Sequence, residues 1–188
     1  MIPRICHVGI PILLFASLLS AQTTAPSNVA LKYSFAPTPV PGYQSVSPDD
    51  TYSPERGFGF DLGSKVEAKS RFITGKDGKP FFFSAKVPPG AYKVTVTLGD
   101  PAGESTTTVK SETRRLMLEE AKTASGQAQR YTFLCHVRIP EIPGGEMVRL
   151  KDREKLPILY VQWDDNTRIP FLELDWDEKL TLEFSDAH

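Results

Sequence analysis

Hydrophobic and polar positions alternate most regularly between residues 79 and 119, KPFFFSAKVPPGAYKVTVTLGDPAGESTTTVKSETRRLMLE. Within AYKVTVTLG, Tyr92, Val94, Val96 and Leu98 fall on one side and Lys93, Thr95 and Thr97 on the other. A period of two predicts a strand with one buried and one wet face. PFFFSAKV before it and STTTVKS (105–111) after it are rich in aromatic or β-branched residues, which suit strands. Pro88-Pro89-Gly90 between the first two runs predicts a hairpin connection, so the stretch is expected to fold as an antiparallel meander.

The same pattern extends along the chain. LKYSFAP (31–37) alternates Leu31, Tyr33 and Phe35 and predicts a first strand. Residues 38–57 are dense in Pro, Ser and Asp and predict a long surface loop, pinned by Tyr43 and Tyr52. In GFGFDLG the glycines beside Phe58 and Phe60 predict a close backbone approach or a bulge, and Lys76-Asp77-Gly78 predicts a turn. RRLMLEEAK (114–122) has good helix propensity, yet its first half continues a β-rich run; a strand is expected there, with a short helix at 118–121 as the alternative. Tyr131–Ile139 predicts a clear strand with Tyr131, Phe133, Cys135, Val137 and Ile139 inward and Thr132, Leu134, His136 and Arg138 outward. Brief strands are expected at 148–151, 157–163 and 171–176, and Leu180, Leu182 and Phe184 form the last inward face. The fold class that follows is all-β: an antiparallel β-sandwich, jelly-roll or galactose-binding-like.

The 188 residues suit one domain, and a chain of that length buries roughly 70% of its unfolded surface without disulfide or metal. A net charge of −1 gives no electrostatic footprint for nucleic acid or a membrane surface. The N-terminus carries Arg4, an apolar run over Val8–Leu19 and Ser20-Ala21-Gln22, the layout of a signal peptide with its cleavage site. The organisation expected is a signal peptide over 1–21, a linker over 22–30 and one domain over 31–185, secreted or periplasmic and not membrane-bound after cleavage. Cys6 leaves with the signal, so Cys135 has no partner for an internal disulfide and is expected as a buried apolar thiol.

The ordered stretches PFFFS, GAYKVTVTLGD and ESTTTVKSETRRLMLE resemble the N-terminal accessory β-sandwich of bacterial rhamnogalacturonan acetylesterase-like enzymes, which are SGNH (GDSL) hydrolases. LKYSFAP, PGY and YSPERGFGF upstream, and REK and WDEKLTLEF downstream, extend the resemblance over nearly all of the mature chain. It implies a link to pectin deacetylation and a chain that ends where the catalytic domain of that family begins; Ile158–Phe171 stands as an insertion. Asp100, Glu112, Arg114 and Arg115 match the LGD and RRLML motifs of the family. The resemblance gives them a supporting role in the sandwich or at its contact with the catalytic domain, for which the planar fork of Arg is suited.

An SGNH hydrolase needs a Ser nucleophile, a His to take its proton and an acid to orient that His. Here Gly99-Asp100-Pro101 puts Pro where Ser is required, and Asp186-Ala187-His188 has the wrong spacing for the DxxH pair. No catalytic residue is assigned, and His7, His136 and His188 are too dispersed to hold zinc. Trp163-Asp164-Asp165-Asn166 gathers an aromatic face and polar groups and is the best local candidate for stacking a sugar ring. These acids, and those of Asp175-Trp176-Asp177-Glu178, also have the oxygen chemistry for a structural Ca²⁺, against the plainer reading of turn solvation and pairing with Lys or Arg.

Three readings stand at this point. The first is an exported, non-catalytic module whose partner is a plant cell-wall polysaccharide or a separate SGNH domain. The second is a truncated or split esterase, inactive alone. The third is a structural or protein-interaction sandwich.

Overall fold

The computed structural model describes residues 30–69, 72–112, 115–142, 144–147, 161–162, 168–169 and 177–186. The expected signal peptide, the linker up to residue 29 and the strands expected at 148–151 and 171–176 lie outside them. So do Trp163-Asp164-Asp165-Asn166 and Arg114.

Among the described residues the chain is all-β, without an α-helix. Its strands are β1 (Tyr33–Ser34), β2 (Gln44–Ser45), β3 (Phe58–Asp61), β4 (Val66–Lys69), β5 (Phe72–Gly75), β6 (Phe81–Lys86), β7 (Gly90–Leu98) and β8 (Ser105–Ser111). They continue with β9 (Arg115–Thr123), β10 (Gln129–Val137), β11 (Glu141–Ile142), β12 (Glu146–Met147), β13 (Val161–Gln162), β14 (Arg168–Ile169) and β15 (Lys179–Asp186). The main sheet has the order β3-β6-β15-β8-β9, antiparallel throughout and open at both edges. The strands β7 and β10 form a separate antiparallel ribbon, and β4 and β5 another.

Register decides which side chains share a face. Phe81, Phe83 and Ala85 of β6 stand opposite Phe184, Leu182 and Leu180 of β15, while Phe58 and Phe60 of β3 stand opposite Ala85 and Phe83. The β7–β10 ribbon lays Val96, Cys135 and Val137 against Leu180 and Leu182, with Tyr92, Val94, Leu98, Tyr131 and Phe133 around them. Val46, Phe60, Phe83 and Ala85 form a second cluster beneath Tyr33, Phe35, Val66 and Ile73. There Phe83 meets Tyr33, Phe35 and Phe60 edge-on, at centroid distances of 5.1, 5.2 and 5.8 Å, a favoured geometry for aromatic pairs.

The alternation in β7 holds: Thr95 and Thr97 are exposed and Val96 is buried. In β10, Cys135 and Val137 are buried and Leu134 and His136 exposed. The hairpin expected at Pro88-Pro89-Gly90 does not form. Strand β6 pairs with β3 and β15, and β7 pairs with β10, so the chain crosses there from one layer to the other. Two prolines in succession offer no N–H to a ladder, which suits a crossing better than a tight two-strand turn. The meander is corrected with it, since β8 returns to the main sheet between β15 and β9 rather than to β7.

Helix propensity loses over 115–123, all of which is strand β9. Pairing to β8 is kept by two register shifts, at Thr107/Val109 and Val109/Lys110, each with an extra residue on β9. Gly59 has φ of +146°, and a Cβ there would lie 2.5 Å from the Tyr52 nitrogen, so the expected close approach is found. Tyr52 is held, its nitrogen donating to the Phe60 carbonyl at 2.9 Å. Tyr43 is 42% exposed and does not pin the loop to the core.

Candidate functional site

Where β8 begins, the main sheet and the β4–β5 hairpin leave a cleft of about 380 Å³. Its apolar wall comes from Phe72 and Ile73 of β5, Phe81 of β6, Leu98 of β7 and Phe184 of β15. Phe81 and Phe184 are directly cross-strand and stack at 5.1 Å with an interplanar angle of 16°. Thr74, Ser105, Thr106 and Thr107 also line it, the Ser105 hydroxyl lying 2.7 Å from Thr123 Oγ1, and Lys69, Asp100 and Glu104 add charge. The volume is at the lower end of the range for small-molecule sites, about 300–1,000 Å³, and apolar walls with a few polar groups are their usual composition.

The loop that carries Asp100 is fixed from within. Asp100 Oδ1 accepts from the Ala102 N–H at 2.7 Å, and its carbonyl accepts from the Gly126 N–H at 3.0 Å. Gly99, with φ of +140°, packs so tightly on Gln127 that a Cβ there would run into the Gln127 carbonyl oxygen. The turn is therefore locked to the loop that precedes β10.

A second polar assembly lies on the opposite face of the main sheet. The Lys179 ammonium meets Asp61 Oδ2 at 2.8 Å and Asp177 Oδ2 at 3.6 Å, and sits 4.9 Å from the Tyr52 ring centroid. Ser84 donates to Asp61 Oδ2 at 2.7 Å and lies 2.9 Å from Thr181 Oγ1. Burial pushes the Asp177 carboxyl up to about 6, more than the nearby Lys179 pulls it down. The reason is geometric, because Lys179 is already committed to Asp61. Burial works to lower the pKa of the Lys179 ammonium, yet the bond to Asp61 and the charges of Asp61, Asp177 and Tyr52 together hold it above its ordinary value. Ser84 and Thr181 have no exposed surface. A Ser hydroxyl that is fully buried and spent on a carboxylate is a structural group, and this assembly ties β3, β6 and β15 together.

The polar residues singled out in the sequence are not one cluster. Asp100 precedes β8 and lines the cleft, whereas Glu112 follows β8, a strand about 20 Å long. Glu112 is 3% exposed; its N–H donates to the Thr181 carbonyl at 2.9 Å, and its Oε1 accepts from the Thr181 N–H at 3.1 Å. It clamps β15 as a further rung of the ladder. Arg115 opens β9, half-buried, and its charge favours the thiolate of Cys135, although burial still raises that thiol above its ordinary pKa. Glu112 is thus a supporting residue, and Asp100 alone of the described members reaches the cleft.

Sequence reasoning missed Phe72, Phe81 and Phe184 as a wall, because each reads locally as a core residue. It also missed the pairing of Asp61 with Lys179 across 118 positions. The available signal was the ordered pair of stretches YSPERGFGF and WDEKLTLEF, whose strands β3 and β15 flank β6. Among the described residues no group of three or more His, Cys, Asp or Glu is arranged to hold a metal ion. No family model matches the chain, and neither a curated protein nor a solved structure matches it.

Proposed function

We propose that this chain is an exported, non-catalytic β-sandwich module, jelly-roll or galactose-binding-like in type, that binds a pectin-type polysaccharide in association with rhamnogalacturonan deacetylation. The observation that carries the reading is the cleft at the start of β8. It brings the apolar residues Phe72, Phe81 and Phe184 and the polar residues Thr74, Ser105 and Thr107 together in one lining. A sugar ring offers the same two surfaces, C–H groups on its faces and hydroxyls on its rim, and needs both kinds of contact to be held in one orientation. The ordered resemblance of the sequence stretches to the accessory domain of rhamnogalacturonan acetylesterases supplies the polysaccharide class.

Calorimetric titration of the purified protein with rhamnogalacturonan and homogalacturonan, with and without Ca²⁺, tests the reading. Deacetylation of an acetylated pectin is followed alongside. Saturable binding without turnover is expected, abolished by Phe72→Ala and by Thr107→Arg, since the register places Thr107 on the same face of the sheet as Phe184. Binding that survives both substitutions but is lost in Trp163→Ala moves the site to the tryptophan. If neither polysaccharide binds, the polysaccharide reading fails, and docking of a separate SGNH domain takes its place.

A further inference from the structure

The charges around the cleft are unequal, and the inequality bears on which sugars can enter. Two carboxylates, Asp100 and Glu104, line it. The Asp100 carboxylate accepts from the backbone N–H of Ala102 at 2.7 Å, and neither acid has a cationic partner among the described residues. Among the described residues of the lining the one cation is Lys69, paired at 3.2 Å with Glu67, two positions before it on β4. The described charged residues of the lining, Asp100 and Glu104 against Lys69, thus carry net negative charge.

We infer that this cleft selects uncharged sugar units, such as methyl-esterified uronates or deoxyhexoses, and that Asp100 and Glu104 are its specificity residues, turning away free uronate. The inference rests on the polysaccharide reading above and narrows its substrate class. Its physical basis has two parts. A uronate carboxylate brought into the cleft loses hydration and is repelled by both acids, while Lys69 is already engaged by Glu67. An ester methyl or a deoxysugar methyl gains contact with the phenylalanines and Ile73 at no electrostatic cost. The acids can still accept hydrogen bonds from sugar hydroxyls, so they select against charge and not against sugar. In a mixed polymer, charged units are left outside in solvent.

The test compares fully methyl-esterified homogalacturonan with the same polymer after de-esterification, a pair that differs in charge and methyl but not in backbone. Binding is measured at low ionic strength with chelator present, so that no divalent cation bridges carboxylates. The esterified polymer is expected to bind about tenfold more tightly, equivalent to about 1.4 kcal/mol, and the gap should narrow as salt is raised. In the double variant Asp100→Asn, Glu104→Gln the gap should shrink to the part owed to the methyl group, through tighter binding of the de-esterified polymer. Asn at position 100 keeps an oxygen for the Ala102 N–H, so the loop is preserved, and circular dichroism verifies it. Equal or tighter binding of the de-esterified polymer by the unaltered protein overturns the inference while leaving polysaccharide binding in place. So does a gap that the double variant and added salt leave unchanged. Absence of binding to both polymers overturns the polysaccharide reading itself.

Discussion

Replacing Asp177 with Asn probes the polar assembly under β15 through its dependence on pH. Asp177 Oδ1 accepts from the Lys179 N–H at 3.2 Å, while Oδ2 is buried without a hydrogen bond among the described residues and lies 3.6 Å from the Lys179 ammonium. The groups that act on it are Lys179, which favours its charge, and Asp61, which opposes it; burial dominates both. The carboxyl moves from its ordinary 3.8 to about 6 on folding. The native chain then holds this proton more tightly than the unfolded chain does. The stability contributed is complete below about pH 3.8 and is lost as pH rises through about 6. At about 1.4 kcal/mol per unit of this shift the full loss is about 3 kcal/mol, of which about 2.4 kcal/mol falls between pH 4 and 7. Asn preserves the oxygen for the Lys179 N–H and does not titrate. Urea denaturation of both proteins at pH 4, 5, 6 and 7 isolates the effect, because the other carboxylates titrate in both. The stability of Asp177→Asn minus that of the unaltered protein should climb by about 2.4 kcal/mol across this range and level off above pH 7. A difference that stays flat with pH, or that falls, would refute the reasoning, since it would mean that Lys179 and not burial governs the carboxyl.

Three further outcomes follow from the same packing. Lys179→Met removes the cation between Asp61 and Asp177 and leaves two buried carboxylates facing each other. A loss of about 3–5 kcal/mol is expected at pH 7 by urea denaturation, and a smaller one at pH 4, where Asp177 is protonated. Phe83→Ala deletes a ring that is 6% exposed and packed by Tyr33, Phe35 and Phe60, so calorimetric melting should report about 3–5 kcal/mol of destabilisation. Cys135 is 1% exposed and burial keeps its thiol protonated, so a thiol reagent should modify it only as fast as the chain opens, and at once in denaturant.

Much of the β architecture was legible because side-chain period and burial are local properties of a strand. The inward faces of β7, β10 and β15 could be read from Val96, Cys135 and Leu182, and the close approach at Gly59 from the glycine itself. The run 115–123 illustrates the limit. Its local preference leans to helix, and only pairing with β8, with the Thr108 hydroxyl accepting from the Glu120 N–H at 3.2 Å, makes it a strand. The turn at Pro88-Pro89 illustrates another, because two neighbouring strands in sequence need not be neighbours in a sheet.

By itself, then, the sequence determined that the described chain is built of strands, which residues of β7, β10 and β15 turn inward, and that Cys135 is a core thiol. These follow from alternation and residue type, quantities carried by a few consecutive side chains. Only the tertiary structure decided that β6 lies between β3 and β15, that β7 leaves the meander for β10, and that Asp61 receives Lys179 from 118 residues away. It also decided that Asp100 belongs to a cleft and Glu112 to a ladder. The physical reason is that alternation says which face of a strand is apolar but carries no information on which strand lies beside it. That choice depends on the burial and pairing of the whole set of strands at once.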